Sequence, residues 1–168
     1  MPYQEEWIDH FNQEAELLYS VLGDQALQIE HIGSTSIPGM AAKSIIDIIV
    51  AIPHLIRSSD LILELDSMGY TYKPFDTIPE RLYFSKESQP DIRTHHLNLS
   101  LEGSDFWINQ ILFRNQLRKN KLLADEYEQI KRDFFVYYNR TNHVDLEWKS
   151  EFVAKVLKIA KDELHTIS

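Results

Sequence analysis

The chain has 168 residues, no cysteine and a formal net charge of −9 at pH 7. That length suffices for one domain with its own core, and the absence of cysteine excludes a disulfide framework, a thiolate metal site and a thiol nucleophile. The acidic balance opposes wrapping of bulk nucleic acid by a basic surface while leaving room for a local basic site.

Ile8, Phe11, Ala15, Leu18 and Leu22 recur at steps of three and four, with Glu5, Glu6, Asp9, Glu14 and Glu16 between them, which predicts an amphipathic helix over about 5–22 with a solvated acidic face. Gly23 ends it. Leu27 to Ile32 alternates as a short strand that stops at Gly33. Gly33-Ser34-Thr35-Ser36 then supplies a flexible residue and three hydroxyls able to cap a short helix, with Pro38 in its first turn and Gly39 inside it. The β-branched run from Ser44 to Ile52 reads as a central strand. A helix over about 54–68 follows, with Leu55, Leu61, Ile62, Leu65 and Met68 inward. Strands are expected at Tyr70-Thr71-Tyr72, at 81–86 and at 94–101. From Ser104 the pattern is helical, marked first by Trp107, Ile111, Arg114 and Arg118. Tyr127, Ile130, Phe134 and Tyr137 mark the next helix, and Trp148, Phe152, Val156, Ile159 and Ala160 the last. This order is an α+β domain with one mixed β-sheet packed with helices and a C-terminal helical segment; no linker divides residues 1–168. No apolar run reaches membrane-spanning length and the first residues, Met1-Pro2-Tyr3-Gln4-Glu5-Glu6, do not form a signal peptide, so a cytoplasmic location is expected.

Asp47 is out of place among isoleucines, where an uncompensated carboxylate would lose several kcal/mol of hydration. A metal ion, a hydroxyl or amide donor, or a raised pKa must compensate. A strand ending in Gly-Ser, a short helix, then a hydrophobic strand carrying Asp puts backbone amides beside a carboxylate. Amides at a helix start favour phosphate, and the carboxylate favours the divalent ion that accompanies it. The competing reading is structural: Asp47 ties the turn to the sheet through Ser34 or Thr35.

The motifs HIGSTSIPGMAAKSIIDIIV, THHLNLSL, FRNQLR and EYEQIKR resemble the GrpB family over about 7–160. That family is grouped with the nucleotidyltransferase superfamily, and some members are fused to dephospho-CoA kinase. The resemblance implies a nucleotidyltransferase-like fold with a Gly-Ser turn, an Asp-x-Asp or Asp-x-Glu pair on the next strand and a third carboxylate on a later one. Two carboxylates at i and i+2 share a strand face and hold the ions that activate a hydroxyl and neutralise a leaving diphosphate. Gly33, Ser34 and Asp47 match; Ile49 stands where the second carboxylate belongs, and the later strand offers His96 and Asn98.

The candidate centre is therefore Asp47 with Glu30 as the substitute carboxylate and His96 as an imidazole ligand, around a divalent ion, Mg2+ or Mn2+; the imidazole tilts the choice from magnesium towards manganese or zinc. Glu30 and His31 point to opposite faces, so at most one shares a site with Asp47, and Glu30 is the one favoured. Gly33, Ser34, Thr35 and Lys43 are the expected phosphate contacts, with helix capping and plain surface as rival roles. Arg114 and Arg118, one turn apart, with Lys131 and Tyr127 on the next helix, are expected to grip substrate phosphate; favourable charge at a helix C-terminus is the alternative. Neither a nucleophile elbow nor a Walker loop occurs. The function expected is binding of a nucleotide or phosphorylated metabolite with a divalent ion, with nucleotidyl transfer as its reaction. The alternatives are an inactive ligand- or partner-binding module of the same fold, linked to CoA metabolism, or an RNA-binding protein using residues 114–132. The oligomeric state is not legible.

Overall fold

The computed structural model describes residues 1–55, 58–141 and 147–167. The chain forms two compact units, Met1–Gln110 and Ile111–Ser168. The first holds helix α1 (Glu6–Leu22), β1 (Gln28–Ile32), a 3-10 turn (Ser34–Ser36), β2 (Ile46–Ile52), α2 (Ser58–Asp66), β3 (Tyr70–Tyr72), β4 (Arg81–Gln89), β5 (Ile92–Leu101) and the start of α3 (Asp105–Lys119). The second holds the rest of α3, α4 (Lys121–Thr141) and α5 (Glu147–Ile167). The α+β class and the single mixed sheet are those expected from the pattern.

Five strands lie in the order β1-β2-β5-β4-β3. β2 and β5 are parallel, and every other neighbouring pair is antiparallel. The parallel pair sits in the middle because β2 and β5 are separated by the long connection that a parallel crossover needs. Residues directly opposite one another share a face. One face carries Ile29, Ile48, Val50, Ile52, Leu97, Leu99 and Phe84, packed with Trp7, Leu18 and Leu22 of α1 and Leu61 and Leu65 of α2 into the core. The other carries Glu30, Asp47, His96, Asn98, Tyr83, Ser85 and Arg81 by the same register. This second face mixes those polar groups with the buried Ile32, Ile49 and Ala51, and is the more polar of the two.

The expected short helix after Gly33 is a three-residue 3-10 turn that ends at Ser36. Pro38 and Gly39 lie beyond it, and Gly39 takes φ +81°. So few aligned peptides make no appreciable helix dipole, and any anion held here would depend on individual amides. The central strand starts at Ile46 rather than Ser44. The expected beginning of the fourth element, near 54–57, falls partly on residues 56 and 57, outside the described residues.

Two assignments on α1 change. Ile8 is exposed, and Trp7 takes its place in the core. Glu14 is not on the solvated acidic face; it is only 6% exposed. Its Oε1 accepts hydrogen bonds from Lys86 Nζ at 2.9 Å and Tyr70 Oη at 2.8 Å, and His95 Nε2 lies 3.8 Å from Oε2. Glu14 borders the apolar stripe, and a lysine on β4 and a phenol on β3 reach under the helix to pair with its carboxylate. Burial pushes the Glu14 carboxyl up, but hydrogen bonds from Lys86 and Tyr70 and the charges of His95 and Lys86 outweigh it and hold the group below its ordinary 4.5. Burial and the Glu14 carboxylate push the Tyr70 phenol far above its usual range, so it remains a donor. Burial, aided by Lys86, His10 and His96 and opposed by Glu14, holds His95 below its ordinary 6.5.

In the second unit, Leu117, Leu123, Ala124, Tyr127, Phe152, Val156 and Ala160 are buried. Tyr127 stacks on Phe152 at 5.2 Å, and Phe113 meets both rings edge-on. Tyr137, expected inward, is exposed.

Both acid-side groups of the Glu14 network bind fewer protons folded than unfolded, so their stabilisation is present above the unfolded pKa and fades as pH falls. Thermal midpoints should decline from pH 6.5 as His95 takes up a proton in the unfolded chain, and further below 4.5 for Glu14. Glu14→Gln is expected to cost roughly 1–3 kcal/mol near pH 7. That difference from wild type should shrink as urea melts are taken below pH 4.5; a constant difference would refute the network.

Candidate functional site

The candidate site is the polar back of the sheet where β1 runs into its glycine turn. Gly33 has φ +76° and ψ −177°, backbone that is essentially reserved for glycine. A Cβ built at this position would lie 2.2 Å from Asp47 Oδ2 and 2.8 Å from Asp47 Cγ. The carboxylate of Asp47 therefore rests directly on the bare backbone of the turn. The sequence achieves this with the β1–β2 register, in which Ile32 pairs with Asp47 and the next residue is the glycine.

Asp47 is held from its other side by His96, which sits opposite it on the parallel neighbour β5. His96 Nδ1 is 3.0 Å from Asp47 Oδ1, and the two side chains are 22% and 29% exposed, respectively. His96 Nε2 lies 3.5 Å from Arg93 Nη1, and its ring is tilted against Tyr83 at 5.6 Å. Burial pushes the Tyr83 hydroxyl up; Asp47 and Asp76 add to the rise, and Arg93 and Arg81 oppose it. The Tyr83 ring thus flanks the pair, with its phenol held away from ionisation. Together these groups make a half-exposed carboxylate with a fixed imidazole on one oxygen and open backbone on the other.

The remaining expected residues are placed as follows. Glu30 shares Asp47's face but pairs with Ile49, a step along the strand, and its Oε1 accepts from Gln28 Nε2 at 2.7 Å. His31 lies on the opposite face, stacked on Phe11 at 4.8 Å with Nε2 2.9 Å from Thr35 Oγ1. Thr35 is buried, and its hydroxyl also donates to the Ile45 carbonyl. Ser34 is half-buried in the turn, and Lys43 is exposed on the loop before β2. In the second unit Arg114 is 7% exposed, with Nε and Nη2 donating to Asn115 Oδ1, whereas Arg118 is exposed. Lys131 Nζ lies 4.8 Å from the centre of the Tyr127 ring.

The fold family implies two divalent ions, and the donors here do not fit a two-ion centre. Ile49, at the position of the second carboxylate, is 0% exposed and offers no ligand atom. Among the described residues no three His, Asp or Glu side chains gather closely enough to hold a metal ion, so the trio of Glu30, Asp47 and His96 is not assembled. The i, i+2 rule placed Glu30 on the correct face, but antiparallel register set it diagonal to Asp47. Sequence reasoning missed Glu14 and the stripe Arg81, Tyr83, Ser85 on β4. The alternation of Arg81, Tyr83 and Ser85 with Leu82, Phe84 and Lys86 was the signal for that stripe.

Gly33→Ala combines a disallowed backbone with a collision against Asp47. It is expected to lower stability by roughly 1–3 kcal/mol from the backbone alone, and to shift the His96 imidazole NMR resonances as the carboxylate is displaced. Adding Asp47→Ala removes the Oδ2 and Cγ contacts, so the double variant should be less destabilised than the sum of the two single variants. Strict additivity in urea melts would show that the turn and the carboxylate do not touch.

Comparison with known proteins identifies the family and the fold. The family model described as GrpB protein matches residues 1–159. The YqkA protein of Bacillus subtilis (strain 168) is 33% identical over 159 residues, which are 95% of this chain and 46% of that protein, so the chain spans about half of that relative's length. The crystal structure of conserved protein GrpB from Enterococcus faecalis superposes with TM-score 0.86 at 32% identity, covering 98% of both chains. A cytoplasmic RNA terminal U-transferase shares the fold at TM-score 0.53 and 14% identity, over 78% of this chain and 41% of that one. A dephospho-CoA kinase of Mycolicibacterium paratuberculosis is 33% identical over 73 residues, 42% of this chain and 18% of that protein. No helix among the described residues is long and apolar enough to cross a membrane. With a family model spanning nearly all of its length and a structural relative matching it end to end, the chain belongs to the GrpB family.

Proposed function

We propose that the turn at Gly33–Ser34 and the carboxylate of Asp47 bind the phosphates of a nucleotide or phosphorylated metabolite. The observation that carries this reading is the contact between Gly33 and Asp47: a backbone conformation open only to glycine is kept where it lets a main chain approach a carboxylate held by an imidazole. The nucleotidyltransferase-like fold supports the same ligand class. A single divalent ion carried in with the phosphates and sharing Asp47 is the arrangement that this donor set allows.

A second reading, a binding module that has lost the reaction, draws on one specific observation: the buried Ile49 on β2 where a second carboxylate belongs. The partial similarity to a dephospho-CoA kinase supports a ligand related to CoA in that case.

Isothermal titration of the chain with nucleoside triphosphates and CoA precursors, with and without Mg2+ or Mn2+, tests the first reading. Binding is expected for wild type, and Asp47→Ala should weaken it at least tenfold, the range of a lost charge-assisted contact. Identical null titrations for both proteins would end the proposal. Ile49→Asp separates the two readings. Acquisition of metal-dependent nucleotidyl transfer by that variant identifies a fold that lost its enzyme activity, and transfer already present in wild type dismisses the inactive module.

A further inference from the structure

We infer that Arg81 is a second oxyanion-binding site, in which the loop residue Asp76 holds the place of a ligand carboxylate or phosphate. Arg81 opens β4 on the polar face of the sheet, opposite Ser100. Its side chain is 4% exposed. The guanidinium lies 5.0 Å from the centre of the Tyr83 ring and 5.1 Å from that of Phe106, so its position is fixed by two aromatic rings. Asp76 Oδ1 accepts from Nη2 at 2.9 Å. Nε and Nη1 are buried and have no acceptor among the described residues.

A buried guanidinium with most of its fork uncommitted is uncommon, because each unmatched donor has lost its water without gaining a partner. Two further observations point to a ligand. Glu80, immediately before Arg81, is held at φ +63°, a strained conformation for a residue of this kind and of the sort that gathers at ligand clamps. Asp76 itself is 46% exposed, on a loop where Phe75 is 96% exposed. One carboxylate on a solvent-facing loop is thus the counter-charge of a buried, ring-clamped arginine. A carboxylate or phosphate, with two or three acceptor oxygens, fits that fork better than the single oxygen Asp76 offers. When the loop swings out, such a group takes over Nη2 and satisfies Nε and Nη1.

The site is distinct from the Gly33 turn. By sheet geometry Arg81 lies two strands across and four residues along from Asp47, roughly 16 Å between Cα atoms, further than one phosphate group reaches. It therefore serves a different anionic group from the one held at the turn.

The test exploits opposite signs. Full-length wild type, Asp76→Asn and Arg81→Lys are titrated with inorganic phosphate and, separately, with succinate, following thermal midpoint against probe concentration. Asp76→Asn removes the competitor and should reach half-effect at roughly two- to fivefold lower probe concentration, the size of an exposed ion pair. Arg81→Lys retains the charge and loses the fork, and should need at least tenfold more. A response to phosphate alone identifies a phosphorylated ligand, and one to succinate alone a carboxylate. Asp76→Asn binding no better than wild type, or no response to either probe, overturns the proposal. Asp76 lies away from the Gly33 turn, so this outcome is separate from failure of nucleotide binding.

Discussion

The structure depends on one close approach: the Asp47 carboxylate lying against the backbone of Gly33, where any side chain would collide with it. Several features of the first unit follow from that requirement. β1 must end at Ile32 so that the glycine comes level with Asp47, and β2 must pair with β1 antiparallel in the register that sets Ile32 opposite it. β5 must then enter parallel to β2, because that pairing brings His96 to the far side of the carboxylate. The turn between β1 and β2 cannot be a conventional helix start; it is a single 3-10 turn, tied by the Ser36 hydroxyl to the Gly33 carbonyl. The carboxylate is stabilised by geometry on two sides and by solvent on a third, so a charged group survives on a strand whose other residues are all buried.

The sheet separates two electrostatic tasks by face. On the helix side a buried network of Glu14, Lys86, Tyr70 and His95 supports the packing of α1 and satisfies its own charges. Each member is committed to another, which is how ionic groups persist near an apolar core. On the other side Asp47 and His96 pair with each other, and Arg81 and Ser85 keep buried polar atoms without a partner among the described residues. The two consecutive histidines illustrate the division. His95 faces the helix-side network and is held below its ordinary pKa by burial, while His96 faces the carboxylate of the turn.

A good deal of this was legible from the order of residues. The β-branched run around Asp47, the glycine before the hydroxyl cluster and the period-two alternation of 94–101 located the strands within a residue or two, because side-chain period and turn chemistry are local properties. The family likeness rested on the same motifs. Less legible were the partners. Glu14 sits among other acids on α1 and looked solvated; only the arrival of Lys86 and Tyr70, more than fifty residues later, makes it a core residue. Thr35 looked like a phosphate contact, and its hydroxyl is instead spent on His31 and the Ile45 carbonyl.

What the sequence determined by itself was the α+β class, the identity of the elements, the glycine turn and the one acid on the central strand, since each follows from a periodicity or a backbone preference carried by neighbouring residues. Which groups meet was decided only by tertiary structure. Strand register placed Glu30 diagonal to Asp47 and His96 directly opposite it. Burial between two rings turned Arg81 from an ordinary strand residue into one with uncommitted donors. The reason is that register and burial depend on pairing between distant segments, where a shift of one residue reverses every face and a single added ring changes which polar atoms still reach water.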